Sequence, residues 1–240
     1  MVARNHLEDI RLSASEKHQQ AMPARDSDPV DLLLAAYSSG DLDPALHALV
    51  ASHLLMAPRN RRYVAALDEL AGGELEAIAP LALPNRDACL EAIFSAQPRT
   101  ASRPAPRIAA GESEIVLPEP LRAYLGSDLS ALRWKSLLPG VREAVIERKG
   151  RGDAKVLWTK GGRRMPRHTH EGSEITLIVQ GAFRDKTGLY RTGDIVIAES
   201  DLDHQPVTEA GVDCICFAVT DAPIHLTGPV GRIMERFFPQ

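Results

Sequence analysis

The sequence contains few cysteines, few aromatic residues and no long apolar run, and these shortages exclude whole classes of protein. Three of the 240 residues are cysteine, and Cys89, Cys214 and Cys216 do not form the framework of a disulfide-rich secreted protein. No apolar run approaches the ~18 residues that cross a bilayer, and the first residues lack the apolar core of a signal peptide. We therefore expect reduced thiols, no membrane partner and a cytoplasmic location.

Basic residues are not in excess either. The formal net charge is -4, with 28 lysines and arginines against 32 acidic residues. Proteins that bind nucleic acid directly carry a basic surface, so this balance gives no reason to expect a nucleic-acid partner. With 44% hydrophobic and 25% charged residues, the composition is that of an ordinary globular protein, and 240 residues leave room for two modest domains.

Changes of composition divide the chain into four parts. Residues 1–27 are polar and have no clear period, which predicts a flexible extension. Residues 28–96 are patterned as helices, residues 97–114 form a linker rich in proline and alanine, and residues 115–240 form a β-rich domain, to which residues 114–117 could add an edge strand. The predicted fold class is α+β and multidomain, with a small amino-terminal helical bundle followed by a carboxy-terminal β-sandwich or jelly roll.

Four helices are predicted in the helical part, each with its own start signal. Asp28-Pro29 and Asp43-Pro44 place an aspartate at the N-cap and a proline at the first helical position. Pro58 opens a third helix that should end at Gly72-Gly73, and Asn85 can cap a fourth.

The first of these helices is apolar on nearly every side, because Leu32, Leu33, Leu34 and Tyr37 lie within two turns. A domain of four short helices has a thin core, and one helix face cannot bury all three leucines. Two interpretations stay open. These side chains bind a partner protein, or they pack against the β-rich domain or a second copy of the chain in a homodimer.

Short apolar segments separated by glycine and proline turns predict the β-rich domain. The predicted strands are 134–138, 144–147, 155–159, 175–179, 194–198 and 212–219.

A group of histidines marks the candidate site. His168 and His170 are two residues apart, a spacing that directs both side chains to the same face of a strand. Glu174 follows a short turn at the start of the next predicted strand, and His204 lies in a later polar loop. Imidazole and carboxylate groups that converge from neighbouring strands are typical metal ligands, so we predict a metal site of these four residues. The alternative is a set of surface histidines on polar loops.

The spacing of these residues resembles the two-part motif of cupins. The residues in register are Gly162, His168, His170, Glu174 and Gly181 in the first part and Gly193 and His204 in the second. The second part departs from the motif at Glu199 and Asp201, where cupins usually carry proline and glycine. The resemblance implies a jelly roll whose four ligands hold zinc or, alternatively, iron, manganese or nickel.

The order of the parts, together with segments 165–174, 181–185, 204–206 and 213–216, resembles the ChrR family of zinc-containing anti-sigma factors. That family inhibits extracytoplasmic-function sigma factors. The resemblance implies that the helical domain sequesters such a sigma factor, and that the cupin senses a signal such as singlet oxygen or a peroxide. It implies a regulator rather than an enzyme.

The helical part departs from this family at its amino-terminal zinc site. The family holds that zinc with a histidine before the first helix and a His-x3-Cys-x2-Cys run. This chain keeps His53, but Ala57 and Asn60 stand in place of the cysteines, and Asp28 lies near the position of the first histidine. One ligand of four cannot hold a structural zinc, so we expect no metal in the helical domain.

Cys214 and Cys216 are two residues apart on a predicted strand and so share a face. They are either a redox-sensitive pair near the metal or small apolar core residues.

A different class of function also fits the metal motif. Three histidines and a glutamate bind Fe(II), Mn(II) or Ni(II) in cupin dioxygenases, so a metal-dependent enzyme acting on a small molecule is the alternative.

Overall fold

The computed structural model describes residues 28–96, 116–200 and 202–227. The extension predicted for residues 1–27 and the linker predicted for residues 97–114 lie outside these ranges. Below, "helical half" means residues 28–96 and "β-rich half" means residues 116–227.

Two aspartates start the first two helices as predicted. Asp28 accepts a hydrogen bond from the Val30 N–H at 3.0 Å, and Asp43 accepts one from the Leu46 N–H at 2.9 Å. Among the described residues, no helix is long and apolar enough to cross a membrane. The α-helices are α1 (Pro29–Ser38), α2 (Pro44–Met56), α3 (Arg61–Glu76), α4 (Arg86–Ser95) and α5 (Glu119–Leu125), with 3-10 turns at Pro58–Asn60 and Leu129–Ala131.

Two expected helix boundaries are wrong. Pro58 opens a 3-10 turn, and the α-helix begins only at Arg61. That helix runs past Gly72-Gly73 to Glu76, because a glycine inside a helix costs only ~1 kcal/mol and does not end it unless the backbone leaves helical geometry. The fourth helix does begin directly after Asn85, at Arg86, but Asn85 is left-handed at φ 58° and its side chain makes no capping hydrogen bond.

The edge strand expected at 114–117 is also wrong in its described part. Val116 and Leu117 are not in a strand and lead into helix α5, which the sequence reading missed. Pro118 and Pro120 start this helix, since a proline in the first turn loses no intrahelical hydrogen bond.

Antiparallel strands form a sandwich. One sheet has six strands in the order β1-β2-β3-β10-β5-β8, and a three-stranded sheet, β7-β6-β9, and a two-stranded sheet, β11-β4, complete the other layer. The strands are β1 (Lys135–Leu138), β2 (Val141–Lys149), β3 (Gly152–Thr159), β4 (His168–His170), β5 (Glu174–Gln180), β6 (Ala182–Arg184), β7 (Leu189–Arg191), β8 (Ile195–Ala198), β9 (Val207–Thr208), β10 (Cys214–Thr220) and β11 (Ile224–Leu226). The predicted α+β class, helices followed by a β-rich sandwich, is confirmed.

The two faces of the six-stranded sheet pack against different parts of the molecule. In β10, Ile215 and Phe217 belong to the apolar core shared with the helices, whereas Cys214 and Cys216 belong to a smaller cluster with Phe183 inside the sandwich. This alternation follows from the two-residue period of a strand. One strand therefore contacts both the helical half and the interior of the sandwich.

A single apolar core joins the two halves. Helix α2 contacts α5, β5 and β10, and α1 contacts β8. Leu34 and Leu49 are fully buried in the same cluster as Leu177 and Phe217 of the large sheet. The helical half is therefore not a thin domain that must bury its apolar residues alone.

This packing corrects the expectation that three leucines of α1 are exposed together. Leu33 and Leu34 are 7% and 0% exposed, Tyr37 packs at the edge of the core, and only Leu32, at 60%, faces solvent. The large sheet supplies the second surface that a thin helical domain lacks.

A hydrogen-bonded clasp joins the helices to the turn between β7 and β8. The His53 ring is buried, and its Nδ1–H donates to the Gly193 carbonyl at 2.7 Å. A carbonyl can only accept, so Nε2 carries the lone pair and accepts from the Asn60 side-chain amide at 2.9 Å. Arg59 pairs with Asp194 beside them at 2.6 Å. Two residues at the positions of the resembled family's zinc ligands thus make hydrogen bonds instead.

Candidate metal centre

Three histidines converge inside the sandwich. His168 and His170 lie on β4, which pairs with β11 and directs both rings inward. His204 enters from the loop before β9, where its backbone exchanges two 3.0 Å hydrogen bonds with that of His168. All three side chains are buried, and one nitrogen from each ring lies within 4.8 Å of the others. The structure thus brings together three of the four predicted ligands.

The ring nitrogens are close enough to share one ion. His204 Nε2 lies 2.9 Å from His168 Nε2 and 3.3 Å from His170 Nε2. Two imidazole nitrogens bound at ~2.1 Å to one metal, at angles of ~90–110°, lie roughly 3.0–3.4 Å apart. The spacing therefore fits a metal ion at the centre of the group.

Hydrogen bonds on the far side of two rings leave lone pairs facing each other across the short nitrogen contact when both rings are neutral. His168 Nδ1 donates to the Pro166 carbonyl at 2.8 Å, and His204 Nδ1 donates to Asp185 Oδ2 at 2.8 Å. A neutral imidazole has one N–H, so both facing Nε2 atoms carry lone pairs. Two lone pairs 2.9 Å apart repel unless a cation lies between them, and the residues present therefore fit a metal.

Burial keeps the rings in the form that binds metals. Burial lowers the pKa of His168 and His170 below the ordinary value of 6.5 and outweighs the opposing effect of the nearby Glu174 charge. Neutral imidazole is the form that donates a lone pair to a metal.

Glu174, the fourth predicted ligand, does not join the three rings. It begins β5 and lines the same cavity, but its Oε1 accepts a hydrogen bond from Thr176 Oγ1 at 3.1 Å. Thr176 lies two residues along the strand on the same face and holds the carboxylate to one side.

Asp185 lies beside the histidines and was not predicted as a site residue, although it lies in a segment of the resemblance. Its side chain is 0% exposed and contacts His204. Burial alone would raise the pKa of Asp185, but hydrogen bonds from Thr187 and His204 together hold its pKa below the ordinary value. The available signal was Asp185-Lys-Thr-Gly188, a turn sequence whose aspartate caps its own backbone and leaves one oxygen free.

A cavity of about 540 Å³ adjoins the histidines. Apolar side chains of both layers line most of it, among them Leu137, Leu157, Phe183, Val196 and Ile224. Lys155 and Glu143 add charges, and the Lys155 ammonium pairs with Asp153 at 2.9 Å. The metal centre therefore opens onto a space that a small molecule can enter.

Cys214 and Cys216 line this cavity with their sulfurs 3.6 Å apart. The neighbouring Cys214 thiol and burial raise the pKa of Cys216 well above its usual value. A thiol that resists ionisation is a poor nucleophile, which favours the core interpretation over the redox one.

Fold and site together define a class: a helical bundle packed on a cupin-like sandwich in which three histidines lie close enough to hold a metal ion. The ChrR cupin-like domain family matches residues 124–223. The anti-sigma-E factor ChrR of Cereibacter sphaeroides is 40% identical over 208 residues, which cover 87% of this chain and 95% of that protein. This chain is also similar to one in a crystal structure of Rhodobacter sphaeroides SigE in complex with the anti-sigma ChrR, at 38% identity and a TM-score of 0.63, over 80% of this chain and 96% of the other. The chain therefore belongs to the ChrR family of anti-sigma factors.

Proposed function

We propose that this chain is an anti-sigma factor that sequesters an extracytoplasmic-function sigma factor through its helical half. The observation that carries the proposal is the match to ChrR over 95% of that protein, which includes both the helices and the sandwich. The structural relative is a complex of the anti-sigma ChrR with SigE, and its matched chain is covered over 96% of its length.

Exposed apolar side chains on the outer helices offer a surface for this partner. Helix α4 has no buried residue, and its Ile93 and Phe94 are 67% and 83% exposed. Leu70 and Tyr63 of α3 and Leu32 of α1 are also exposed. A surface this apolar is typical of protein–protein contacts, and a sigma factor is the partner that the family membership favours.

The metal centre is proposed as the sensor, with zinc as the first choice and iron, manganese or nickel as alternatives. The family resemblance supports zinc and a signal such as singlet oxygen or a peroxide. When bound, the metal would hold three neutral imidazoles together and neutralise the repulsion between their lone pairs. The alternating faces of β10 provide a physical connection, because a shift of Cys216 in the cavity must move Phe217 in the core shared with the helices.

Co-purification tests the proposal. The tagged chain is co-expressed with each extracytoplasmic-function sigma factor of its own genome, and any retained complex is analysed for stoichiometry and metal content. We expect a stable one-to-one complex. Absence of the sigma factor from a folded, metal-loaded preparation would contradict the proposal.

A metal-dependent cupin enzyme is a second candidate, and the cavity beside the histidines is the observation that favours it. Cupin dioxygenases need such a space for substrate and oxygen. Loss of a small-molecule conversion on removal of the metal, in a chain that retains no sigma factor, would favour the enzyme.

A further inference from the structure

The two carboxylate oxygens of Asp185 accept hydrogen bonds from different partners. Oδ1 accepts the backbone N–H of Thr187 at 2.8 Å, the Thr187 hydroxyl at 2.5 Å and the N–H of Gly188 at 3.3 Å. Oδ2 accepts Nδ1–H of His204 at 2.8 Å. The turn after β6 thus holds the carboxylate rigidly, and the carboxylate in turn holds the imidazole.

The other two histidines lack an equivalent support. The partner of His168 is the neutral Pro166 carbonyl, and His170 Nδ1 is buried without a hydrogen-bond partner among the described residues. His204 also comes from a loop, whereas the other two lie on β4. The histidine that lies outside β4 is therefore the one that a buried carboxylate orients.

We propose that Asp185 is a positioning residue of the metal centre, which fixes His204 in the tautomer and orientation that present a lone pair on Nε2 to the ion. The inference rests on the metal centre of the proposed function and assigns a role to a residue outside the predicted ligand set. Carboxylates behind ligating histidines orient the ring and raise its basicity, and their loss typically weakens metal binding ~10–100-fold.

Asp185→Asn is the informative variant, because an amide cannot perform both tasks. It has one accepting oxygen, which the Thr187 N–H requires, so its NH₂ group faces His204 Nδ1. His204 must then accept at Nδ1 and carry its proton on Nε2, toward the metal position. The volume and the turn are preserved, while the ligand changes to the wrong tautomer.

Asp203→Asn is the matched control. Asp203 is next to His204 in the chain, but its carboxylate accepts from Thr227 Oγ1 at 2.8 Å and pairs with Arg167 at 3.4 Å. The Asp203→Asn variant loses the same charge close to His204 in the chain, without a contact to its imidazole.

The experiment measures zinc affinity of the full-length chain by competition with a chromophoric chelator, together with the melting midpoint of the metal-free protein. We expect Asp185→Asn to bind zinc ~10–100-fold more weakly, with a melting midpoint near that of the native chain, and Asp203→Asn to bind as the native chain does. Equal zinc affinity of the two variants would overturn the proposal.

Nitrogen-15 NMR of the histidine side chains of the metal-free native chain tests the tautomer directly and does not depend on how a variant folds. We expect an unprotonated Nε2 in His204, and a protonated Nε2 would overturn the proposal. A native chain that binds no zinc would instead overturn the metal centre itself, so the two failures are distinguishable.

Discussion

At the scale of single residues, the hydrogen bonds on the outer side of the histidine rings determine which nitrogen of each ring carries the proton. Pro166 and Asp185 each take the N–H of one histidine, and the lone pairs that remain point at one another. Between neutral rings those lone pairs are unfavourable without a cation, and this favours a metal site over a buried hydrogen-bonded cluster.

Removal of one ring should remove the ion. We expect the purified native chain to hold about one metal ion, and His170→Ala to lose most of it, because two imidazoles are too few ligands for tight binding. The buried ligands left unpaired should lower the free energy of unfolding by ~1–3 kcal/mol. Elemental analysis and a denaturant titration measure the two effects, and a native preparation free of transition metals would contradict the prediction.

Leu32 and Leu34 of α1 allow the same substitution to be compared at an exposed and at a buried position of one helix. Leu32 is 60% exposed and Leu34 is 0% exposed, only two residues further on. We expect Leu34→Asp to unfold the chain, because it buries an unpaired charge in the core. Leu32→Asp should leave the fold intact.

For the sigma factor, Phe94→Asp should weaken binding tenfold or more, since a large apolar side chain buried at an interface contributes ~1.5–3 kcal/mol. The dissociation constant is measured by titrating the purified sigma factor with each folded variant. Normal binding by Phe94→Asp would place the contact away from α4, and Leu32→Asp tests the α1 side of the surface in the same assay.

At the scale of elements, hydrogen bonds of the clasp join the end of α2 to the β7–β8 turn. Asn60→Ala leaves the buried Nε2 of His53 without a donor, which should lower the free energy of unfolding by ~1–3 kcal/mol. Asn60→Asp keeps the size of the side chain and removes the NH₂ donor, so it tests the hydrogen bond without leaving a cavity. Denaturant titration of the zinc-loaded chain should find both variants less stable, and unchanged stability of both would show that the clasp contributes nothing.

The clasp should also depend on pH. Burial lowers the pKa of His53 below its ordinary value of 6.5, and the Gly193 hydrogen bond only partly opposes this. The unfolded chain therefore binds a proton more readily, so the contribution is complete above about pH 6.5 and is lost as the pH falls toward the lowered folded value. His53→Gln should flatten the fall in stability below pH 6.5, and an identical pH profile in the two proteins would contradict this assignment.

Elements with a clear local sequence pattern could be predicted, whereas elements that depend on partners distant in the sequence could not. Asp28 and Asp43 cap their helices as expected, and His168 and His170 share a face of a strand. The short strands β6, β7, β9 and β11 were missed, because two or three residues carry too little pattern. The roles of Asp185 and Glu174 depend on contacts with Thr187 and Thr176, which spacing to the histidines does not encode.

At the scale of the whole molecule, the continuous core makes the two halves one cooperative unit. The sequence indicated two domains joined by a linker, because the apolar residues of α1 and of the sheet lie far apart in the chain. Only the tertiary packing shows that Leu34 and Phe217 belong to one cluster. If the histidine site senses a signal as proposed, that signal would not need the linker to reach the helices.

Two probes can follow the halves separately during melting. Both tryptophans, Trp134 and Trp158, lie in the β-rich half, so their fluorescence reports on the sandwich. Circular dichroism at the helical minimum reports mainly on α1 to α4, which include most of the described helical residues. We expect the two signals to change at the same temperature, since one core unfolds in one step.

A chelator should then move both signals together. A metal that binds only the folded chain stabilises it by ~2.7 kcal/mol when free metal exceeds the Kd a hundredfold, which corresponds to roughly 5–10 °C in a chain of this size. Although the helical half holds no predicted ligand, its circular-dichroism midpoint should fall with the fluorescence midpoint when zinc is removed. Asp203→Asn should behave as the native chain does. Two separate transitions, with only the fluorescence responding to chelator, would mean that the halves unfold independently and that the metal centre cannot act on the helices through the shared core.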